Sequence, residues 1–253
     1  MWTRTIVTAY LNVNSGNRTT TEYLRFSKGL LQAKCPKVIF IDREIANQVI
    51  AAENSMIIEI DRTNLYLLEK YSNNPESFSN FSMVNGNKQK DSIEFMSIQC
   101  NKTEFMRQAV EINQFKTDGF VWIDFGMKHV CPEFSDEEYS TQLETLASSP
   151  IMKEEETQVQ IGQIWDFQYF PNGSPLLNIQ WFFAGGVFGG TATPLLEFSD
   201  RTRSKCLEII EEHKLITWEV NVWYFIYTEA MALFSPYKCN HNSLLLKNYL
   251  VCE

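Results

Sequence analysis

The chain has 253 residues, of which 44% are hydrophobic and 13% aromatic, and its formal net charge is −9. A chain of this length and composition can bury a substantial core, which excludes global disorder. The acidic balance excludes broad contact with nucleic acid or an anionic membrane, because neither polyanion attracts a negatively charged surface. A local basic groove for a diphosphate is still compatible with that charge.

We expect no signal that directs the protein out of the cytoplasm. Its first ten residues contain no long apolar segment, and no stretch approaches the roughly eighteen apolar residues that cross a bilayer. Six cysteines are widely scattered, which is typical of free thiols in a chain without a secretion signal. We therefore expect a cytoplasmic protein with reduced cysteines and no membrane span.

The first part of the chain reads as strand, helix and strand. An apolar run at 6–13 predicts a strand, and the apolar stripe of 20–33 predicts a helix. Residues 38–41 predict a second strand, which ends in Asp42. Since the helix crosses between the two strands, we expect the strands to run parallel, as in an open α/β sheet.

The next part contains short elements and a long polar stretch. The elements predicted here are a strand at 56–60, a short helix at 64–70 and a strand at 93–99. Residues 71–92 are rich in Asn, Ser, Gly and Lys, and they predict a long loop that is a candidate lid. A helix follows over 103–112, with Thr103 as its cap.

The second half of the chain continues the alternation of strands and helices. The predicted elements are an acidic surface helix at 136–146, strands at 161–170 and 179–183, an amphipathic helix at 199–213 and a buried aromatic helix at 217–234. Turn residues at 171–174 lie between the two strands, which predicts an antiparallel hairpin. No repeat or linker divides the chain, so we expect one α/β domain.

The most informative segment is Gly-Phe-Val-Trp-Ile-Asp-Phe-Gly at 119–126. Its four apolar residues predict a buried strand, which ends at Asp124, and Gly126 lets the backbone turn directly afterwards. A carboxylate at the carboxyl end of such a strand is where open α/β sheets place ligand and metal chemistry. The alternative is that Asp124 only starts a turn or caps the next segment.

Two later segments carry candidate chemistry with an ordinary alternative beside it. Glycines at 185, 186, 189 and 190 match no phosphate-binding motif; they either allow a ligand to approach the backbone or form a structural turn. Glu219 is either a catalytic base or a first-turn carboxylate that stabilises a helix capped by Thr217.

A late histidine, His241, lies in a polar loop and can ligate a metal through its neutral imidazole. An Asp and a His with open positions suit Mn²⁺ or a similar ion that phosphate helps to hold. The pairs His129 with Cys131 and Cys239 with His241 match no structural zinc spacing.

Seven segments together resemble the HtrL/YibB family. In chain order they are Thr-Ala-Tyr at 8–10, Pro-Lys-Val-Ile-Phe-Ile-Asp at 36–42, Glu-Ile-Asn-Gln-Phe at 111–115, Phe-Val-Trp-Ile-Asp-Phe-Gly at 120–126, Phe-Ala-Gly-Gly at 183–186, Trp-Glu-Val-Asn-Val-Trp at 218–223 and His-Asn-Ser-Leu-Leu at 241–245. That family is similar to nucleotide-sugar glycosyltransferases of the GT-A fold. The resemblance implies a single-domain, GT-A-like (Rossmann-like) α/β fold over 1–253, with a mixed, mainly parallel sheet flanked by helices. Its nucleotide-binding part covers about 1–130 and its acceptor part about 131–253.

The resemblance also implies roles for single residues. Asp124 stands where GT-A enzymes place a metal-binding Asp-x-Asp, with Gly126 in place of the second acid. His241 completes the implied site for Mn²⁺ or Mg²⁺, and Glu219 is the implied catalytic residue facing the reacting carbon. The implied donor- and acceptor-binding residues are Thr8, Ala9, Tyr10, Asp42, Gly126, Gly185, Gly186 and Asn221.

The implied function is transfer of a sugar from a nucleotide-sugar donor to a hydroxyl of a glycan or protein acceptor. A divalent ion would stabilise the leaving diphosphate. The missing second carboxylate favours the alternative, a catalytically silent nucleotide-sugar-binding or scaffold protein. A phosphohydrolase that uses Asp124 and His241 is less compatible, since three histidines are few for a two-metal site. We expect no nucleic-acid partner, and the aromatic content is compatible with a homodimer.

Overall fold

The computed structural model describes residues 1–13, 18–82, 91–169 and 173–251. Within these ranges, seven strands form one sheet in the order β3-β2-β1-β4-β6-β5-β7. The strands are β1 Arg4–Tyr10, β2 Lys37–Asp42, β3 Ser55–Ile60, β4 Gly119–Ile123, β5 Val159–Gln163, β6 Phe183–Thr191 and β7 Phe234–Lys238.

The helices of the same residues cover both faces of the sheet. They are α1 Thr20–Gln32, α2 Tyr66–Asn73, α3 Ile93–Cys100, α4 Lys102–Ile112, α5 Asp136–Ser148, α6 Ala192–His213, α7 Glu219–Glu229 and α8 Leu244–Lys247. Short 3₁₀ helices lie at Arg43–Gln48, Arg62–Asn64, Pro75–Phe78, Met127–Val130, Glu154–Glu156 and Met231–Leu233. In the described part of the chain, no helix is both long enough and apolar enough to span a membrane.

The sheet is mainly parallel, and its direction of winding changes beside the central strand. β1 pairs in parallel with β2 on one side and with β4 on the other, and β2 pairs in parallel with β3. β6 then runs antiparallel to both β4 and β5, while β7 is parallel to β5. The predicted mixed, mainly parallel sheet flanked by helices is confirmed. A sheet that winds outward from β1 in both directions leaves a crevice at the carboxyl ends of β1 and β4.

Side chains of the central strands alternate between the two faces of the sheet and form two hydrophobic cores. Ile6 and Ile39 face α1 and α5, while Val7, Phe40 and Trp122 face the layer that contains α4, α6 and α7. Both sets are buried, because a strand covered on two faces must be apolar on both. The second layer is held by stacked rings, with Phe105 between Phe40 at 4.9 Å and Trp122 at 6.4 Å.

The prediction of a strand at 93–99 is wrong, because this segment forms helix α3. A short apolar run fits a buried helix as well as a strand, so the flanking residue decides between them. Here the Ser92 side chain accepts a hydrogen bond from the Phe95 backbone nitrogen, which is an N-cap.

The prediction that Thr103 caps the next helix is also wrong. Helix α4 begins one residue earlier, at Lys102, and no side-chain hydrogen bond caps it. The backbone nitrogen of Asn101 instead bonds the carbonyls of Ser97 and Ile98, so α3 leads directly into α4. Lys102, the first residue of α4, extends its side chain to the carboxyl end of β4, where its Nζ atom donates to Asp124.

The glycine-rich segment is part of the sheet and does not form a turn. Gly185 and Gly186 belong to β6, which extends to Thr191. The strand predicted at 179–183 therefore overlaps β6 only at Phe183. The strand predicted at 161–170 ends at Gln163. The predicted turn residues at 171 and 172 lie outside the described residues.

Two further predicted boundaries differ from the structure. The aromatic helix predicted at 217–234 ends at Glu229, and Phe234 starts strand β7, which the sequence analysis missed. The loop predicted at 71–92 contains the end of α2 and a 3₁₀ helix at Pro75–Phe78. The remainder of the candidate lid at 83–90 lies outside the described residues.

A buried ion pair joins the first strand to distant parts of the chain. The side chains of Arg4 and Glu155 pair with each other, and neither is exposed to solvent. Arg4 Nε donates to Glu155 Oε1 over 3.1 Å, and the Tyr249 hydroxyl donates to the same oxygen over 2.8 Å. The Met152 backbone nitrogen donates to Glu155 Oε2 over 2.9 Å, so the carboxylate is well satisfied.

We expect Glu155→Ala to lower the free energy of unfolding by about 3–5 kcal/mol, because it leaves the guanidinium of Arg4 buried and unpaired. Urea unfolding measures this loss. The control is Asp166→Ala, which removes an exposed pair with Lys238 and should stay within about 1 kcal/mol of wild type. Equal losses in the two variants would contradict the importance of the buried pair.

Candidate functional site

A cavity of about 260 Å³ opens where β1 and β4 end. It lies beside the strand at which the sheet changes its direction of winding, which is where open α/β sheets bind ligands. Among the residues predicted for the site, those that line the cavity are Ala9, Tyr10, Asp124, Gly126, Gly185, Gly186, Glu219 and His241. The structure therefore brings together residues that are far apart in the sequence.

The ammonium group of Lys102 lies between the two predicted acidic residues of this cavity. Its Nζ atom is 3.0 Å from Asp124 Oδ1 and 2.9 Å from Glu219 Oε1. It also donates to the backbone carbonyl of Gly185 over 3.0 Å. These partners use all three of its hydrogen atoms. We call Lys102, Asp124 and Glu219 the charged triad.

The Lys102 side chain is almost fully buried, with 6% exposed. Burial by itself favours the neutral amine, but the nearby carboxylates of Asp124 and Glu219 outweigh this effect and raise the pKa of Lys102 above its ordinary value. The ammonium therefore stays charged across the physiological pH range. The triad carries one positive and two negative charges when both carboxylates are ionised.

Asp124 is fixed by the sheet on one side and is open to the cavity on the other. Its backbone nitrogen donates to the carbonyl of Gly186 over 3.0 Å, which extends the pairing of β4 with β6. The indole nitrogen of Trp122 donates to Asp124 Oδ1 over 2.7 Å. The side chain is still 38% exposed, so it remains accessible to a ligand.

Glu219 is the buried member of the triad, with 5% of its side chain exposed. It is the first residue of α7, and Trp218 occupies the N-cap position. The predicted cap, Thr217, donates its hydroxyl to the Pro175 carbonyl instead. Among the described residues, Glu219 Oε2 is buried and has no hydrogen-bond partner. One oxygen of this carboxylate is thus anchored on Lys102, and the other has free lone pairs.

Gly185 is required by the close approach of β6 to the triad. A Cβ atom at this position would lie 2.3 Å from Glu219 Oε1 and 3.2 Å from Lys102 Nζ. The neighbouring Gly186 has more room, since its nearest atom would be the flexible Met127 Sδ at 3.2 Å. A glycine at 185 therefore serves to place charged side chains against the backbone, which its sequence motif did not reveal.

Three residues predicted to contact the donor or acceptor do not line the cavity: Thr8, Asp42 and Asn221. Thr8 is buried inside β1. Asp42 accepts from the backbone nitrogens of Asn12 and Glu44 and pairs with Arg62.

Asn221 is likewise engaged inside the protein. Its side chain accepts from the backbone nitrogen of Gln180 and donates to the carbonyls of Pro175 and Asn178. These bonds hold the segment before β6 against α7, so Asn221 supports the wall of the site.

Aromatic rings form much of the cavity wall. Tyr10 stacks on Phe125 with ring centroids 5.3 Å apart. Trp181 lies 6.1 Å from Trp218 and meets the His241 ring edge-on at 4.4 Å. Flat apolar walls with a few convergent polar groups are typical of small-molecule sites.

His241 reaches the cavity but has no contact that identifies it as a metal ligand. Partial desolvation, followed by the effect of His129, lowers the pKa of His241 below its usual value, which favours the neutral ring. Among the described residues, no cluster of three or more His, Cys, Asp or Glu is placed to hold an ion. Lys102 already forms an ion pair with Asp124, so the residues as arranged do not fit a divalent ion. The requirement for Mn²⁺ or Mg²⁺ stays a prediction.

The fold and cavity define an α/β protein with a cavity at the point where the sheet reverses its winding. A family model described as "Bacterial protein of unknown function (HtrL_YibB)" matches residues 3–152. The chain belongs to this family, as its sequence motifs predicted. No curated protein matches the chain.

Solved structures with a similar course of the chain are distant in sequence. One is described as a glycosyltransferase involved in the glycosylation of the major capsid of PBCV-1, with 11% identity and a TM-score of 0.43; the match covers 97% of this chain and 89% of that one. Another is Rv0371c from Mycobacterium tuberculosis H37Rv, with 7% identity, a TM-score of 0.41 and coverage of 94% and 87%.

Lys102 is the residue of the site that the sequence analysis missed. The available signal was a lysine at the start of a helix, where the positive end of the helix dipole disfavours a cation. A lysine there is unusual unless carboxylates lie next to it, so its position was informative.

We expect Gly185→Ala to lower the free energy of unfolding by about 1–3 kcal/mol, because the added methyl group displaces Glu219 or the β6 backbone. The matched control is Gly186→Ala, where the Met127 side chain can move aside and the loss should be smaller. Chemical denaturation of both variants tests the difference. A larger loss for Gly186→Ala would show that the crowding at Gly185 is not important.

Proposed function

We propose that this protein transfers a sugar from a nucleotide-sugar donor to the hydroxyl of an acceptor. The observation that carries the proposal is the Glu219 carboxylate, which lines the cavity with one oxygen anchored by Lys102 and the other unpartnered. Such a group is prepared to accept a proton at a fixed position. Its place beside the carboxyl ends of β1 and β4 supports a nucleotide-containing ligand.

The residues present support a direct displacement. The Glu219 carboxylate takes the proton of the acceptor hydroxyl, and the acceptor oxygen forms a bond to the anomeric carbon of the donor sugar. The bond from the anomeric carbon to the diphosphate breaks, and the nucleoside diphosphate leaves with the electron pair. Lys102 keeps the Glu219 carboxylate in place through the hydrogen bond from its Nζ atom to Oε1.

The binding groups assign parts of the ligand by their chemistry. The half-buried ring of Trp181 lines the cavity and can contact a ring of the donor, and Asp124 is the accessible carboxylate of the site. A glycan or a protein hydroxyl is the proposed acceptor. The division into a nucleotide-binding part over about 1–130 and an acceptor part over about 131–253 stays a prediction, as does a homodimer.

A second candidate is a binding protein that has the same site but no turnover. Gly126 stands where a second carboxylate was expected, and both oxygens of Asp124 lie near Lys102. This arrangement favours a ligand that is held without reacting. The two candidates differ in whether a product forms, and the first experiment separates them.

The first experiment measures thermal stability with a panel of nucleoside diphosphates and nucleotide sugars, with and without Mn²⁺, together with product mass. A donor that binds the native state raises the melting temperature by mass action. We expect Glu219→Gln to keep this rise while the transfer rate falls about 10²–10⁴-fold, because a base is lost.

The control variant is Glu197→Gln, which makes the same chemical change on the half-exposed surface of α6 and should retain both properties. Transfer at the wild-type rate by Glu219→Gln would reject the proposed base. A donor-induced rise without any product would favour the binding protein. No rise with any nucleotide would reject both candidates.

A further inference from the structure

We infer that the Lys102 ammonium permanently occupies an oxygen-lined cation site, and that this lysine replaces a divalent ion in the protein. The consequence for sugar transfer rests on the proposed function. The occupancy of the site by the lysine does not, because it concerns only residues of this chain.

The atoms around Lys102 Nζ are those that a hard cation prefers. Both oxygens of Asp124 lie at 3.0 and 3.4 Å, Glu219 Oε1 lies at 2.9 Å, and the Gly185 carbonyl oxygen lies at 3.0 Å. Carboxylate and carbonyl oxygens are the usual ligands of Mg²⁺, Ca²⁺ and Mn²⁺. They come from the residue directly after β4, from β6 and from α7, which converge on one point.

The charge of this site requires a cation at its centre. Glu219 is nearly inaccessible to water, and an uncompensated buried carboxylate is strongly destabilising. Lys102 supplies the compensating charge from within the chain. A metal entering the same place would have to displace an ammonium that is 6% exposed and leave it without partners.

The supply of this charge by a side chain has a consequence for the reaction. Lys102 already holds the position between Asp124 and Glu219 that a divalent ion would take, so the site keeps its cation when no free ion is in solution. We therefore expect transfer by the wild-type protein to continue in EDTA. Loss of transfer in EDTA that Mn²⁺ restores would overturn the inference.

The direct experiment measures binding of Mn²⁺ alone by electron paramagnetic resonance, which detects free Mn²⁺, in wild type and in Lys102→Met. Methionine has a similar length and no charge, so its introduction leaves the oxygen ligands with a net charge of −2. We expect Lys102→Met to bind Mn²⁺ about tenfold or more tightly than wild type. Addition of Asp124→Asn to this variant should reverse the gain.

Two controls make the result specific. Lys238→Met removes a lysine that is 68% exposed and paired with Asp166, and it should create no Mn²⁺ site. Lys102→Met combined with Glu219→Gln removes the buried carboxylate together with its ammonium partner. This double variant therefore provides a folded protein if the single substitution unfolds. This double variant should still bind Mn²⁺ more tightly than wild type.

Wild-type protein that binds Mn²⁺ tightly through Asp124, with binding lost in Asp124→Asn, would overturn the inference. An unchanged Mn²⁺ affinity in folded variants that lack Lys102 would also overturn it. Both measurements use neither donor nor acceptor. They therefore retain their meaning if the proposed sugar transfer is rejected by the nucleotide panel.

Discussion

The central constraint of this molecule is a buried positive charge. Lys102 extends from the first turn of α4 to Asp124 directly after β4, to Gly185 of β6 and to Glu219 of α7, and each of these residues supplies an oxygen atom to its ammonium group. A charge removed from water must be paired and hydrogen-bonded, so the four elements can pack only in positions that satisfy it. The geometry of the candidate site and the junction of the helices with the sheet are therefore set by the same contacts.

The surrounding packing holds this charge in place. Trp122 connects the two parts of the site, since its ring stacks 6.0 Å from Phe188 in the core and its indole nitrogen bonds Asp124. The glycine-rich strand β6 lets the backbone approach closely enough for the Gly185 carbonyl to reach Lys102. Large rings fill the core layer, and the absence of a side chain at one strand position makes room for the polar groups.

The sequence predicted what local patterns determine. The apolar run that ends at Asp124 identified both a buried strand and the position of the cavity, because strand burial and strand ends can be recognised within a few residues. A lysine at the start of a helix is itself a local signal, but the partners of Lys102 could not be recognised in this way, since they lie 22, 83 and 117 residues further along the chain. The prediction of a strand at 93–99 was wrong because a short apolar run is compatible with either a strand or a helix.

The pairing of Arg4 with Glu155 has a consequence for how the chain folds during synthesis. β1 is synthesised before the partners of Arg4. The Arg4 guanidinium cannot pair until Glu155, 151 residues later, has been made, and Tyr249, which bonds the same carboxylate, follows later still. Contacts of such separation form late and slow the folding of a parallel sheet. Until they form, β1 of the nascent chain exposes apolar surface beside a charge without its carboxylate partner, and such surfaces make a folding chain prone to aggregation.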